Sequence, residues 1–178
     1  MIRLLFKILI INFLLVGSAY TQVINDINVI GNQRISKETI IVLGNIKTGK
    51  NYDNDKLNET TKQLYDSDFF KDISLNLENN ILTIRLTENP IIEDIQIQGI
   101  KSNRVVENLL GKISLKNRKS FTENAFQKDL NLIRNILKAN GYYFVEVTPS
   151  VRINNELNSI RLNIDIDEGP KARIKNIS

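Results

Sequence analysis

The sequence predicts an α+β fold of two small modules, each with a three-stranded mixed sheet covered on one face by two helices. Three observations lead to this reading. First, Ile24-Asn-Asp-Ile27-Asn-Val29-Ile-Gly31 recurs sixty-eight positions later as Ile92-Glu-Asp-Ile95-Gln-Ile97-Gln-Gly99, and self-similarity at such a spacing marks an array of one supersecondary unit. Second, each copy is followed by two stretches of helical periodicity and then by two alternating ones. Third, the alternation is strict: Ile160, Leu162, Ile164 and Ile166 interleave with Arg161, Asn163, Asp165 and Asp167, which gives one apolar and one wet face. An apolar sheet face needs a second layer, and the helix pair supplies it.

In the first module, Ile24 to Gly31 reads as a strand with Ile27 and Val29 on one side. Ser36 caps a helix containing Ile40, Ile41 and Leu43, with Gly44 as its stop. A second helix follows Asp53 and buries Leu57, Thr61, Leu64 and Tyr65. Two strands close the unit: Ile73, Leu75 and Leu77 alternate with Asp72, Ser74, Asn76 and Glu78, then Leu82, Ile84 and Leu86 with Thr83, Arg85 and Thr87.

The second module repeats the order. Val105, Val106, Leu109 and Leu110 line a helix before Gly111, and Thr122 caps another that carries Phe126, Leu130, Ile133 and Leu137 and ends at Asn140-Gly141. The closing strands are Tyr143 to Ile153 and Ile160 to Ile166. Gly31, Gly99, Gly141, Gly169 and Pro170 mark the structural turns. Pro149 cannot donate to a ladder, so its strand belongs at a sheet edge and the last strand at the centre. An edge exposes unpaired N–H and C=O groups. It is either shielded by Glu146 and neighbouring polar groups or used to pair an extended peptide, and the residues leave both readings open.

The first twenty or so residues differ from the rest. Arg3 and Lys7 accompany the apolar stretch Ile8 to Val16, and Gly17, Ser18 and Ala19 follow, which is the order of a secretory signal peptide; an uncleaved anchor is the alternative. The expected organisation is a signal peptide over 1–21, modules over 22–89 and 90–169, and the start of a truncated third over 170–178, where Ile174-Lys-Asn-Ile177 repeats the opening motif. The sequence contains no Cys, so neither a disulfide nor lipid attachment after the signal can form.

Charge and chemistry exclude further classes. The formal charge is +4, but five of the 24 basic residues, Arg3, Lys7, Lys171, Arg173 and Lys175, lie at the two ends, leaving 19 against 20 acidic residues. A nucleic-acid partner is not expected: only Lys112, Lys116, Arg118 and Lys119 cluster, without interleaved aromatics, and they read as a solvated loop. His is absent as well as Cys, which removes the usual acid-base group, thiol nucleophile and N/S metal ligands. Asp165, Asp167 and Glu168 read as a wet strand face running into a turn. Gly44-Asn-Ile-Lys-Thr-Gly49-Lys50 has phosphate-loop spacing, but Asn51 replaces the magnesium-binding hydroxyl and the segment follows a helix. Asn58-Glu-Thr60 matches a glycosylation acceptor by coincidence. No catalytic, cofactor-binding or metal-binding residue is expected.

The repeated strand-helix-helix-strand-strand order resembles tandem POTRA domains. So do Leu64-Tyr65 to Phe69-Phe70-Lys-Asp-Ile73, Gly141-Tyr-Tyr-Phe-Val-Glu-Val147, and Asp167-Glu-Gly-Pro170 leading into the next Ile-x-x-Ile. The resemblance implies a periplasmic segment of an outer-membrane assembly protein. Such a segment receives unfolded outer-membrane proteins, meets periplasmic chaperone, docks accessory lipoproteins, and passes clients to a C-terminal barrel that this sequence lacks. It also implies that edge strands pair with clients or partners. Those edges map to Ile73, Ser74, Leu75, Asn76 and Leu77, and to Val145, Glu146, Val147 and Thr148. Alternatives are the POTRA segment of a two-partner secretion or autotransporter-assembly protein, a periplasmic division scaffold with a single module and an anchor, and an exported hydrolase working with carboxylates alone.

Overall fold

A computed structural model describes residues 21–170. Of the expected signal peptide over 1–21 and the start of a third module over 170–178, residues 1–20 and 171–178 lie outside the described residues.

Strands β1 (Gln22–Val23) and β2 (Asp26–Ile30) open the chain. Helix α1 (Lys37–Leu43), strand β3 (Asn51–Tyr52), helix α2 (Asn54–Asp66) and the hairpin β4 (Phe70–Glu78) and β5 (Ile81–Glu88) complete the first unit. The second comprises β6 (Ile91–Gln98), α3 (Asn103–Lys112), α4 (Glu123–Ala139), β7 (Glu146–Asn154) and β8 (Ser159–Asp167). The two main sheets have the orders β2-β5-β4 and β6-β8-β7, and β1 and β3 form a separate ribbon. β5 is parallel to β2 and antiparallel to β4, and β8 is parallel to β6 and antiparallel to β7. Both sheets are therefore mixed, with the last strand central, as Pro149 predicted for the second.

The helix starts follow local chemistry. Ser36 Oγ accepts from the Thr39 amide (3.2 Å), Asp53 Oδ1 from Lys56 (2.9 Å) and Thr122 Oγ1 from Ala125 (3.3 Å), each satisfying an amide that has no partner inside the first turn. Asn79 and Asn80, both at left-handed φ (51° and 64°), make the two-residue turn that the twist of hairpin β4–β5 favours.

Each sheet has its own core. Ile24, Ile27, Ile40, Leu64, Leu82, Ile84 and Leu86 are buried in the first, and Ile92, Leu109, Phe126, Leu130, Ile133, Leu137, Leu162 and Ile164 in the second. The repeat is geometric as well as textual. Gly31 (φ 94°) and Gly99 (φ 88°) each follow an opening strand and lie against an inward residue near the end of the central one: a Cβ on Gly31 would lie 2.0 Å from Leu86 O, and one on Gly99 1.9 Å from Ile166 O. No other residue fits there. Gly141 and Gly169 also have positive φ, 90° and 61°.

Three local expectations need correction. α3 continues through Gly111 to Lys112 and ends where Ile113, 3% exposed, is drawn into the core, so burial of the next apolar residue and not the glycine sets its end. The strand expected from Tyr143 starts at Glu146, because Tyr142 folds inward (8% exposed) while Tyr143 and Phe144 remain on the surface. In α2 the buried positions are Thr60 and Leu64, and Tyr65 is 42% exposed.

Candidate functional site

The sheet order determines which backbone groups are free. β4 and β7, nine residues each, have a partner on one side only among the described residues. The glycine contacts show which residues present their polar groups outward. Leu86 O and Ile166 O point toward Gly31 and Gly99, that is, toward β2 and β6. In an antiparallel ladder a residue turns its N–H and C=O the same way, so the pairs Ile73–Leu86 and Val147–Ile166 are not hydrogen-bonded to each other. Ile73 and Val147 therefore point their amide groups outward. With period two, so do Leu75 and Leu77 on β4, and Val151 and Ile153 on β7. The pairing Pro149–Ile164 falls in the same set, so the missing proline N–H is one that would have faced outward. That explains how β7 tolerates Pro149 without losing a ladder bond, and it leaves a one-donor gap in the free edge.

The two edges differ in cover. On β4 the Ile73 amide donates to the Tyr65 hydroxyl on α2 (3.1 Å), so one outward donor is already satisfied. Ile73, Leu75 and Leu77 are half-buried beneath the helix layer, with Ser74 and Asn76 exposed on the other face. On β7, Val147 is half-buried while Val151 and Ile153 on the same face are 38% and 69% exposed. Glu146 and Thr148 are exposed on the wet face, and Val145, half-buried, lies one residue before the strand. The edge expected from the sequence covers the near half of β7 and stops short of the exposed Val151 and Ile153. Their alternation was visible, but that α4 fails to cover them was not.

A second set of residues fixes the loops and strand ends around the linker, and no sequence pattern signalled it. Glu88, 3% exposed, ends β5, and its Oε1 accepts from the amides of Gln33, Arg34 and Ile35 at 2.8–2.9 Å. Its Oε2 meets Arg34 Nε at 3.0 Å. Burial pushes this carboxyl up, but the three amides and then the Arg34 charge outweigh it and hold it below the usual glutamate value. Arg34 also donates to Asn89 O (2.6 Å), and Asn158 donates to Glu88 O (3.2 Å) from the β7–β8 turn. The Phe121 amide donates to Pro90 O (2.8 Å), so the end of β5 and the two-residue linker Asn89-Pro90 are gripped from both modules. Asp129, 4% exposed on α4, likewise holds the α3–α4 loop by accepting from the amides of Ser114 (2.9 Å) and Leu115 (2.8 Å). A buried carboxylate aimed at a loop leaves no periodic signal in sequence.

The candidates for other chemistry resolve structurally. The Asp165 carboxylate accepts from Asn163, Asp167 from the Gly169 amide, and Glu168 from the Lys101 amide. The Gly44–Lys50 loop turns its donors inward: Gly44 to Ile40 O, Ile46 to Ile41 O, Lys47 to the Tyr52 hydroxyl and Gly49 to Ile24 O, so those amides are not free to cradle a phosphate. Thr60 of the Asn-Glu-Thr triplet is buried in α2. Among the described residues no helix is long and apolar enough to cross a membrane.

Two strand-helix-helix-strand-strand units in series, each with a three-stranded mixed sheet, define a tandem α+β array. A POTRA profile, described as a surface antigen variable number repeat, matches residues 22–89 and again 90–169, and the chain belongs to the POTRA family. It is similar to the outer membrane protein assembly factor BamA of Nitratidesulfovibrio vulgaris, with 24% identity over 159 residues, covering 86% of this chain and 20% of the relative. It is also similar to BamA of Neisseria meningitidis serogroup B, with 26% identity over 156 residues, 86% of this chain and 19% of that one. The chain thus spans about a fifth of the length of these curated relatives. Its fold matches the N-terminal domain of Omp85 from Thermosynechococcus elongatus with a TM-score of 0.56 at 14% identity, over 84% of this chain and 64% of that structure.

Proposed function

We propose that this chain is the periplasmic POTRA segment of an outer-membrane β-barrel assembly factor. It receives unfolded outer-membrane proteins by pairing their extended segments with the free edges of β4 and β7. It docks accessory lipoproteins, takes clients from periplasmic chaperone, and delivers them to a barrel C-terminal to this segment. The observation that carries the reading is the outward row of backbone groups at Leu75 and Leu77 on β4 and Val147, Val151 and Ile153 on β7. Backbone pairing depends little on client sequence, as the handling of many different clients requires. Similarity to BamA along most of the chain supports the compartment and the client class.

The test is an amide-shift titration of the chain with a synthetic amphipathic strand peptide from a membrane barrel. Edge pairing perturbs Leu75, Leu77, Val147, Val151 and Ile153 and slows their hydrogen exchange. Shifts confined to α1–α4, or none, refute it.

A further inference from the structure

We infer that the cleft between the two modules is a separate binding site, for an acidic segment of a protein partner that carries an apolar side chain beside its carboxylate. The cleft is open to solvent, has a volume of about 670 Å³ and is lined from both modules. Ile35 and Phe69 of the first, and Ile91, Leu115 and Ala125 of the second, are its apolar lining. Arg118 and Lys119 stand on the second module's wall, and Asp68 is the acidic residue lining the opposite wall. Arg34 also lines the cleft, but Glu88 and Asn89 O already engage its guanidinium.

The charge of Arg118 and Lys119 is not used within the fold. Neither takes part in either ion pair of the described residues, and neither side chain makes a hydrogen bond there. Their backbone, in contrast, is fixed. The Arg118 amide donates to Ile92 O (2.7 Å), Ile92 donates to Lys119 O (2.9 Å), and Phe121 donates to Pro90 O (2.8 Å), with Arg118 held at a left-handed φ of 68°. The loop is thereby tied to the linker itself. Two unpaired cations on a fixed backbone beside an apolar lining attract a carboxylate and receive the side chain next to it, at a small ordering cost. Lys116 of the same basic cluster is different, since its ammonium is bound to Leu110 O. The occupant touches both modules, so binding also restrains the angle between them.

The probe is the blocked tetrapeptide Asp-Phe-Asp-Leu, too short to build a strand ladder, titrated into the whole chain with amide shifts as readout. The site predicts shifts at Ile35, Phe69, Leu115, Arg118 and Lys119 and an affinity that falls with added salt. It also predicts a loss of about tenfold or more in the Arg118→Glu/Lys119→Glu double variant. Both residues are exposed, and unchanged binding of the barrel-strand peptide to that variant would show that it folds and that the edges act independently. Equal binding of Asn-Phe-Asn-Leu, equal binding to the double variant, shifts elsewhere, or no binding at millimolar probe each overturn the inference. Vesicles of phosphatidylglycerol form a separate arm: shifts at the same amides with vesicles but not with peptide would make the occupant an anionic lipid and would also overturn it.

Discussion

Glu88 offers the sharpest comparison because the repeat provides its own control. Replacing Glu88 with Ala removes the acceptor for three backbone amides and the partner of Arg34. A hydrogen bond contributes about 1 kcal/mol net, rising to about 1.5–3 kcal/mol where a charged acceptor is shut away from water. Gln33 and Arg34 are exposed, so their freed amides turn to water, and the lower value applies. The Arg34 guanidinium does the same and adds little. The expected loss is about 3 kcal/mol, confined to the first module. Glu168 holds the corresponding place in the second module but accepts a single amide, from Lys101 at 2.9 Å, and is only half-buried; Glu168→Ala should cost about 0.5–1 kcal/mol. Urea unfolding followed through the amide signals of Ile84 and Leu162 reads the two modules separately. Equal losses in the two variants, or less than about 1 kcal/mol for Glu88→Ala, would refute the clamp. The carboxyl is held below its usual value, so its contribution is present above the unfolded-state value, begins to fade as pH falls through that value and is lost at the lower folded one. Glu88→Ala should accordingly flatten the acid limb of the first module's stability curve.

Gly99→Ala places a methyl 1.9 Å from Ile166 O at φ 88° and should destabilise the second module by roughly 2–3 kcal/mol, whereas Gly141→Ala, at φ 90° but in open space, should cost about 1 kcal/mol; equal melting shifts would contradict the crowding argument. Asp129→Asn leaves one acceptor where Ser114 and Leu115 each need one, and should lower second-module stability by about 1–3 kcal/mol, read from the same urea curves. Tyr65→Phe frees the Ile73 amide. Its hydrogen exchange should accelerate at a stability cost below about 1 kcal/mol, and strand-peptide shifts should extend along β4 to Ile73; unchanged exchange at Ile73 would show that Tyr65 does not guard the edge.

The sequence by itself determined the unit and its order. The alternation through Ile160, Leu162, Ile164 and Ile166, the spacing of Phe126, Leu130, Ile133 and Leu137, and the caps Ser36, Asp53 and Thr122 are all local periodicities or local hydrogen bonds, and local rules decide them. Pro149 carried one piece of tertiary information, the sheet order, because a missing donor is tolerated only where no neighbour needs it. What only the tertiary structure decided depends on distant parts of the chain meeting. The clamp joins Glu88 to residues more than fifty positions away, and the cleft brings Phe69 to Arg118. Tyr65 reads as buried by helical spacing alone, yet its hydroxyl reaches the β4 edge. Val151 and Ile153 look like core by alternation, but α4 does not extend over them and they remain exposed. Periodicity states which side of a strand is apolar; the length and placement of the layer above it decide whether that side is buried or left for a partner.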